Sequence, residues 1–199
     1  HFRQYARWVK KNYFKNVKNL IEIGSNDGTF LKNFNKNKIN NIGIEPSKNV
    51  ANIARKNGIK TINQFFTYKN ASKLKKLKNN TDIICAANAI CHVPNLKDLI
   101  KGIDFLLGKE GIFIFEEPYL GSMFKKVSYD QIYDEHIFMF SVSAIKKTLN
   151  LFDFDLIDVL PQTTHGGSMR YVVARRNSYK IKNNVQKYLK YEKNNNIDN

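Results

Sequence analysis

The sequence predicts an α/β fold: a mostly parallel β-sheet with helices on both faces and an antiparallel pair of strands at one edge. Short runs of β-branched and other apolar residues alternate with segments in which apolar residues recur at helical spacing. This alternation is typical of βαβ units, which build parallel sheets. The last two predicted strands follow each other without a helical segment between them, so we place them as an antiparallel edge pair.

The strand and helix boundaries follow from these patterns and from capping residues. The predicted strands cover residues 19–24, 41–45, 59–66, 82–87 and 111–116, and the edge pair covers residues 156–160 and 169–175. Helical segments cover residues 29–34, 95–107 and 144–152, and a further helix runs from an N-cap at Ser47 to a stop at Gly58. Two serines, Ser141 and Ser143, precede the helical segment 144–152.

The chain divides into one main domain and a tail. We assign residues 1–177 to the main domain and residues 178–199 to a basic helical tail that begins a truncated C-terminal domain. The chain starts at His1, and its first residues contain no apolar run of signal-peptide or membrane-span length. We therefore expect a fragment of a soluble cytoplasmic protein without a membrane partner, either a monomer or a homodimer.

Charge and cysteine content narrow the function classes. The 199 residues include 33 Lys and Arg against 17 Asp and Glu, a formal net charge of +16. The lysines are scattered among asparagines instead of forming one stripe, so the charge favours a solvated surface over a nucleic-acid partner. The two cysteines, Cys85 and Cys91, supply neither a disulfide framework nor a complete zinc site, and we expect no bound metal.

The first strand runs into a turn of the kind that binds an adenosine-containing cofactor. Gly24 and Gly28 permit positive φ and close approach of a ligand, and Asn26 tolerates such angles. The second strand ends in Glu45, about twenty residues later, where a carboxylate accepts hydrogen bonds from a ribose diol. The alternative is an ordinary strand-to-helix turn, and Glu45 argues against it.

The loop favours S-adenosyl-L-methionine over a nicotinamide dinucleotide. The dinucleotide fingerprint needs three glycines near a pyrophosphate, whereas Asn26 and Thr29 replace two of them here and Asp27 would repel phosphates. S-adenosyl-L-methionine carries a positively charged sulfonium and an amino group, and acidic side chains near the loop favour the binding of both. The predicted cofactor-binding residues are Glu22, Gly24, Ser25, Asn26, Asp27, Gly28, Glu45, Pro46 and Asn88.

Four later strings complete a resemblance that covers residues 5–175. They are N-A-I-C-H-V-P at 88–94, E-E-P-Y-L at 116–120, Y-D-E-H at 133–136 and T-H-G-G-S-M-R at 164–170. With E-I-G-S-N-D-G and G-I-E-P-S, in this order, the chain resembles the deoxysugar C-methyltransferases that methylate carbon 3 of nucleotide-linked 4-keto-6-deoxy sugars. That family's string usually reads Y-H-E-H, so Asp134 departs from it without touching a proposed catalytic residue.

The resemblance implies a fold, an activity and a set of site residues. It implies a Rossmann-like S-adenosylmethionine-dependent methyltransferase core, flanked in the family by an N-terminal four-cysteine zinc domain and a C-terminal α/β domain. It implies a nucleotide-diphosphate keto-sugar substrate. The implied catalytic residues are Tyr133, Glu135, His136 and His92, and the implied substrate-binding residues are Glu117, Tyr119, His165, Ser168 and Arg170.

The chemistry agrees with these residue types. A ketone acidifies the neighbouring C–H, so a base must remove that proton and a donor must stabilise the enolate before carbon attacks the methyl group. The resemblance implies that His136 or Tyr133 is the base and that the other of the pair acts with His92 on the ketone oxygen. The alternatives are a core role for His92, a surface helix start for Tyr133 and His136, and a simple turn at His165.

Two further hypotheses stand beside this one. The same fold serves methyltransferases of other small keto or hydroxy metabolites. A basic nucleic-acid-binding module would use the net charge, but the chain lacks a basic stripe interleaved with aromatic residues.

Overall fold

The computed structural model describes residues 1–197, apart from the side chains at positions 36, 37 and 129. The last two positions of the predicted tail, 198 and 199, lie outside the described residues. The strands are β1 (Asn19–Ile23), β2 (Asn40–Ile44), β3 (Thr61–Ile62), β4 (Thr81–Ala87), β5 (Leu107–Pro118), β6 (Phe154–Gln162) and β7 (Ser168–Arg175). The α-helices are α1 (Phe2–Tyr13), α2 (Lys48–Lys56), α3 (Tyr68–Ala71), α4 (Leu96–Leu106), α5 (Leu120–Lys126), α6 (Val142–Asn150) and α7 (Asn183–Asn194).

The seven strands form one sheet in the order β3-β2-β1-β4-β5-β7-β6. Strand β1 pairs in parallel with both β2 and β4, and β2 pairs in parallel with β3. Strands β6 and β7 pair antiparallel at the other edge. The predicted α/β fold, a mostly parallel sheet with an antiparallel edge, is confirmed.

The chain divides into two compact units, which are described separately: residues 1–86 with 97–113, and residues 87–96 with 114–199. In the first unit, all five residues of β1 are buried, as expected for a central parallel strand. The register pairs Ile23 with Ile44 and with Ala86, so β1, β2 and β4 end at the same edge. Ligands bind at this edge in open parallel sheets.

The second unit is built around the β6–β7 pair. Helix α7 packs against β6 and α6 and buries Val185 and Glu192. Ser141 is the N-cap of α6, and its hydroxyl accepts a hydrogen bond from the amide of Ala144. The tail predicted for residues 178–199 thus contains a helix that packs on the preceding elements, while the proposed domain boundary at residue 177 stays a prediction.

Three of the predicted elements have other bounds or another type in the structure. Strand β3 has two residues because Asn63 turns its side chain to the carbonyl oxygens of Glu45 and Pro46, which ends the ladder. The segment predicted as a helix over 29–34 is a 3₁₀-helix over Leu31–Asn37. The side chain of Asn33 donates to the carbonyl of Thr29, and its backbone amide donates to the carbonyl of Phe30, three residues back. Strand β5 begins at Leu107, directly after α4. Within the described part of the chain, no helix has the length and apolar character needed to cross a membrane.

Candidate functional site

The loop after β1 has the backbone geometry that its sequence predicts. Gly24, Asn26 and Gly28 have φ values of 67°, 49° and 80°, all in the region that favours glycine or asparagine. A Cβ atom on Gly28 would lie 2.7 Å from the side chain of Ile59, so this position also requires glycine for packing. The amides of Gly24 and Ser25 donate to the carbonyl of Ile44, which ties the loop to the end of β2.

Glu45 holds this loop against the start of α2. Its buried carboxylate accepts hydrogen bonds from the backbone amides of Asn26 at 3.0 Å and Ser47 at 2.8 Å. Each carboxylate oxygen has a second lone-pair direction, so both can accept a further hydrogen bond. The predicted N-cap Ser47 makes no side-chain capping bond, because its hydroxyl donates to Asn49. Pro46 is exposed and accepts from Asn63 through its carbonyl.

The surroundings of Glu22 and Asp27 shift the pKa values of these two carboxyl groups in opposite directions. Burial raises the pKa of Glu22 well above its usual value, and the charges of Asp27 and Glu45 raise it further. Hydrogen bonding from the Thr29 side chain is the main cause that lowers the pKa of Asp27. Among the described residues, Oε2 of Glu22 and the hydroxyl of Ser25 are buried without a hydrogen-bond partner.

These donors and acceptors fit a cofactor with an ammonium group and ribose hydroxyls. The unpartnered oxygens of Glu22 and Ser25 are the buried polar atoms that such a ligand satisfies. A Cβ atom on Gly43 would meet the Ser25 hydroxyl at 2.3 Å, so glycine at 43 makes room for that side chain. The first unit therefore brings together eight of the nine predicted cofactor-binding residues; the ninth, Asn88, belongs to the second unit.

In the second unit, Asn88 has a φ of 50° and contacts the loop after β6. Its backbone amide donates to the carbonyl of Glu116 at 2.8 Å, and its side-chain nitrogen lies 3.1 Å from Nε2 of His165. Since the amide nitrogen only donates, Nε2 of His165 accepts. His165 itself has a φ of 48° and an exposed side chain. The structure thus joins a predicted cofactor residue and a predicted substrate residue.

Glu117 organises the segment after β4. Its fully buried carboxylate accepts from the amides of Ala89 at 3.0 Å and Ile90 at 2.7 Å. Burial raises the pKa of Glu117, while its hydrogen bonds with Cys91 and this backbone act in the opposite direction. Glu117 was predicted to bind substrate, and its contacts in the structure position the segment that carries His92.

Three of the predicted catalytic residues, Tyr133, His136 and His92, form a cluster in the second unit. The Tyr133 oxygen lies 2.6 Å from Nε2 of His136, and the two histidine rings are 5.1 Å apart between centroids. Nδ1 of His136 lies 2.9 Å from the carbonyl of Gln131, and Nδ1 of His92 lies 2.7 Å from the carbonyl of Glu135. A carbonyl only accepts, so both rings carry a hydrogen on Nδ1 and, when neutral, have their lone pair on Nε2. On His136, this lone pair faces the Tyr133 hydroxyl.

Glu135 enters this cluster through its backbone, since its carbonyl orients His92. Tyr133 is 47% exposed, and partial burial followed by the charges of Cys91 and Glu135 raises the pKa of its phenol. The phenol is therefore a hydrogen-bond donor at neutral pH. The cluster combines a phenol donor with two imidazole rings, groups that can hold or move a proton.

Cys91 was not among the predicted site residues, although it directly precedes the predicted catalytic residue His92 in the sequence. Its sulfur and the ring nitrogens of His92 and His136 lie within 4.8 Å of one another. Burial, followed by the charge of Glu117, raises the pKa of the Cys91 thiol, which keeps it protonated. The expectation that the chain holds no metal stays a prediction.

The remaining predicted substrate residues are engaged inside the second unit. Arg170 is buried and forms an ion pair with the fully buried Glu116, with its Nε donating at 2.6 Å. The Tyr119 hydroxyl donates to Glu192 at 2.9 Å, and the Ser168 hydroxyl donates to the carbonyl of Thr164. Sequence reasoning missed Glu116 and Glu192, because their partners lie 54 and 73 residues away in the chain.

Comparison with known proteins agrees with this architecture. A family model described as a methyltransferase domain matches residues 1–159. C-methyltransferase NovU of Streptomyces niveus is 27% identical over 150 residues, which are 75% of this chain and 36% of that protein. The chain therefore aligns with about a third of this relative's length.

Two solved structures resemble the fold. Magnesium protoporphyrin IX methyltransferase of Synechocystis PCC 6803, solved with bound SAH, is 14% identical with a TM-score of 0.65, over 87% of this chain and 81% of that chain. A SAM dependent methyltransferase from Archaeoglobus fulgidus is 13% identical with a TM-score of 0.67, over 88% and 95%. The predicted Rossmann-like methyltransferase fold is confirmed, and the family match supports S-adenosyl-L-methionine as the cofactor. From the match over residues 1–159, the chain belongs to the methyltransferase domain family.

Proposed function

We propose that this chain is the core of an S-adenosylmethionine-dependent C-methyltransferase that methylates a nucleotide-diphosphate-linked 4-keto-deoxysugar at the carbon next to the ketone. The observation that carries the proposal is the cluster of Tyr133, His136 and His92. An oxygen or nitrogen atom already has a lone pair that can attack a methyl group, whereas a C–H carbon needs a base to create one. The cluster supplies such a base together with hydrogen-bond donors.

The first unit is proposed to bind the cofactor, which supplies an electrophilic methyl group. Glu45 accepts hydrogen bonds from the ribose hydroxyls through its free lone pairs while it holds Asn26 and Ser47. Asp27, whose pKa is lowered, supplies negative charge for the ammonium of the methionine part, and Glu22 offers its buried Oε2 as a hydrogen-bonding atom. Glycine at 24 and 28 lets the backbone approach the ligand.

The second unit is proposed to perform the proton transfer. Either His136 through Nε2, or Tyr133 with its own proton passed to His136, removes the hydrogen at the carbon beside the ketone. The electron pair of that C–H bond moves into an enolate, and the remaining partner of the Tyr133–His136 pair donates to the enolate oxygen. His92, whose Nδ1–H is held by the carbonyl of Glu135, donates to the same oxygen through Nε2 in its protonated form. The enolate carbon would then accept the methyl group from the bound cofactor, whose sulfur–methyl bond would break to leave the thioether S-adenosylhomocysteine. The base keeps the abstracted proton until it is released to water.

The identities of the relatives support carbon as the methylated atom. NovU is described as a C-methyltransferase, and its matched region covers most of this chain. The order of the motifs from Glu22 to Arg170 supports the nucleotide-sugar class. Glu117 and Glu116 act in this proposal as positioning residues for the His92 segment and for Arg170.

Mass spectrometry tests this proposal directly. The whole protein is incubated with methyl-labelled S-adenosylmethionine and with nucleotide-linked 4-keto and 4-hydroxy sugars as a matched pair. We expect a labelled methyl group on carbon for the keto sugar and none for the 4-hydroxy sugar, whose C–H bond is not acidified. Equal methylation of both sugars, or a methyl group on oxygen, would contradict the proposal. Methylation of a different keto metabolite alone would favour the same fold with another acceptor.

A further inference from the structure

A second feature of the unit formed by residues 87–96 and 114–199 is a cavity between α5 and α7, with a volume of about 250 Å³. Its lining includes three tyrosines and three lysines: Tyr119, Tyr188, Tyr191, Lys125, Lys126 and Lys187. We name it the tyrosine–lysine cavity. We propose that it binds the diphosphate and the base of a nucleotide. That this nucleotide is part of the methylated substrate rests on the proposed function.

The charge of the cavity is positive and is not offset by lining carboxylates. No acidic residue of the described chain lines it. The carboxylate behind it, Glu192, is fully buried and accepts from the Tyr119 hydroxyl at 2.9 Å and the amides of Val142 at 2.6 Å and Ser143 at 2.8 Å. Glu192 is therefore satisfied by three donors, and none of them is a lysine of the cavity.

The tyrosines that line the cavity can pack against a planar ring. Tyr119 and Tyr188 meet edge to face with centroids 5.9 Å apart, and Tyr188 and Tyr191 are 6.4 Å apart. Tyr119 is buried and fixed by Glu192, whereas Tyr188 and Tyr191 are half-buried and present ring surface. Aromatic rings stack on nucleobases, and lysines bind phosphate groups as point charges. A nucleoside diphosphate combines both chemistries in one molecule.

The cavity adjoins the loop that carries His165. Lys126 donates to the carbonyl of Gly166, and the amide of Tyr119 donates to the carbonyl of Gly167 at 3.1 Å. A Cβ atom on Gly167 would lie 2.6 Å from the side chain of Ser122, so this loop packs directly on α5. A nucleotide held here places its attached sugar toward the loop with His165 and Ser168, the predicted substrate-binding residues.

The volume of the cavity agrees with a nucleotide bound inside it and a sugar that lies outside it. Pockets for whole small-molecule ligands generally run from about 300 to 1,000 Å³. A volume of about 250 Å³ therefore suits one end of a nucleotide sugar and leaves the sugar outside it. A separate groove of about 410 Å³ between α6 and α7 also carries lysines, including Lys146 and Lys190, but is lined by no tyrosine of the described chain. That groove supplies a matched control.

Calorimetry with the whole protein tests the assignment without any methyl transfer. The ligands are UDP, dTDP and inorganic pyrophosphate, and the variants are Lys125→Ala/Lys187→Ala, Tyr188→Leu and the control Lys146→Ala/Lys190→Ala. We expect one or both nucleoside diphosphates to bind at least about tenfold more tightly than pyrophosphate, because only they engage the tyrosines. The Lys125/Lys187 variant should lose at least about tenfold in affinity, Tyr188→Leu about tenfold, and the control less than twofold.

The controls separate this proposal from the proposed function. Unchanged binding of S-adenosylhomocysteine by every variant shows that each one is folded. Equal losses in the Lys125/Lys187 variant and in the Lys146/Lys190 control would overturn the cavity assignment, as would nucleotide affinity unchanged in Tyr188→Leu. Neither of these outcomes would argue against the proposed methyl transfer to carbon. Conversely, tight nucleotide binding that depends on Lys187 and Tyr188 stands even where no keto sugar is methylated.

Discussion

The phenolic oxygen of Tyr133 lies 2.6 Å from Nε2 of His136, and the opposite nitrogen of the same ring faces the carbonyl of Gln131 at 2.9 Å. The carbonyl fixes the hydrogen on Nδ1, so the phenol donates to Nε2. The raised pKa of the Tyr133 phenol agrees with its role as the donor. The phenolic proton therefore lies between the Tyr133 oxygen and the Nε2 lone pair of His136, and a shift of this proton to the imidazole would leave the phenolate oxygen as a base.

The first prediction is that this pair contributes to chemistry and not to cofactor binding. Tyr133→Phe and His136→Asn should each lower kcat by about 10² to 10⁴-fold, the usual contribution of a general acid–base group. Affinity for S-adenosylmethionine should change by less than about threefold, because most predicted adenosine contacts come from residues 22–46. Steady-state kinetics and calorimetry measure the two effects separately. An exposed tyrosine elsewhere, Tyr68→Phe, is the matched control and should keep full activity.

The second prediction concerns Glu45, whose carboxylate already binds the amides of Asn26 and Ser47. Glu45→Gln replaces one acceptor oxygen with a donor, and Glu45→Ala removes both. Loss of a charged acceptor costs about 1.5 to 3 kcal/mol, or about tenfold to hundredfold in affinity for S-adenosylhomocysteine. Calorimetry should show this loss for both variants and no loss for the surface change Glu110→Gln. Full affinity in Glu45→Gln would place the ribose elsewhere.

The third prediction is a pH dependence of stability from Glu22. Its pKa is raised by burial above an ordinary value of about 4.5, so the folded protein keeps this proton at pH values where the unfolded chain has lost it. Below about pH 4.5 both states are protonated, and Glu22 adds no pH dependence. As the pH rises above that value, the unfolded state binds fewer protons, and Glu22 lowers the free energy of unfolding.

Urea unfolding of cofactor-free wild type and Glu22→Gln between pH 4 and 8 measures this effect. The stability difference should move in favour of Glu22→Gln as the pH rises, because glutamine cannot ionise. A difference that stays constant over this range would show that Glu22 ionises with an ordinary pKa despite its burial.

The fourth prediction is strong coupling between Glu116 and Arg170, which are buried and paired. Arg170→Met leaves a buried carboxylate without its cation and should cost about 3 to 5 kcal/mol of unfolding free energy. Glu116→Gln combined with Arg170→Met removes both charges and should cost less than the sum of the single changes. Urea unfolding of all four proteins measures the coupling, and additive losses would mean that the pair contributes little.

Local sequence patterns predicted the parts of the fold that depend on local rules. Strands β1, β2 and β4 and the loop conformations at Gly24, Asn26 and Gly28 follow from β-branched runs and from the φ preferences of glycine and asparagine. Strand β3 was predicted too long because its end depends on Asn63 contacting the backbone of Glu45 and Pro46. Helices α1, α3 and α5 were not predicted, and two of them have only four and seven residues.

The candidate site shows the same division between local and distant effects. Tyr133 and His136 are three residues apart, and a turn in which the amide of His136 donates to the carbonyl of Tyr133 is enough to bring their side chains together. Tyr119 and Arg170 were predicted as substrate contacts, but their polar groups meet Glu192 and Glu116. Those pairings depend on strands and helices that come together only in the folded chain. A sequence pattern identifies such residues as candidates without indicating their partners.

Hydrogen exchange at the carbon beside the ketone tests the central claim most directly. The whole protein is mixed in deuterated water with a nucleotide-linked 4-keto sugar and S-adenosylhomocysteine, so that the base can act but no methyl group can transfer. NMR should show deuterium entering at that carbon with wild type. Of Tyr133→Phe and His136→Asn, the variant that lacks the true base should show none above the uncatalysed rate. Absence of exchange with wild type, or undiminished exchange in both variants, would contradict proton abstraction by this cluster.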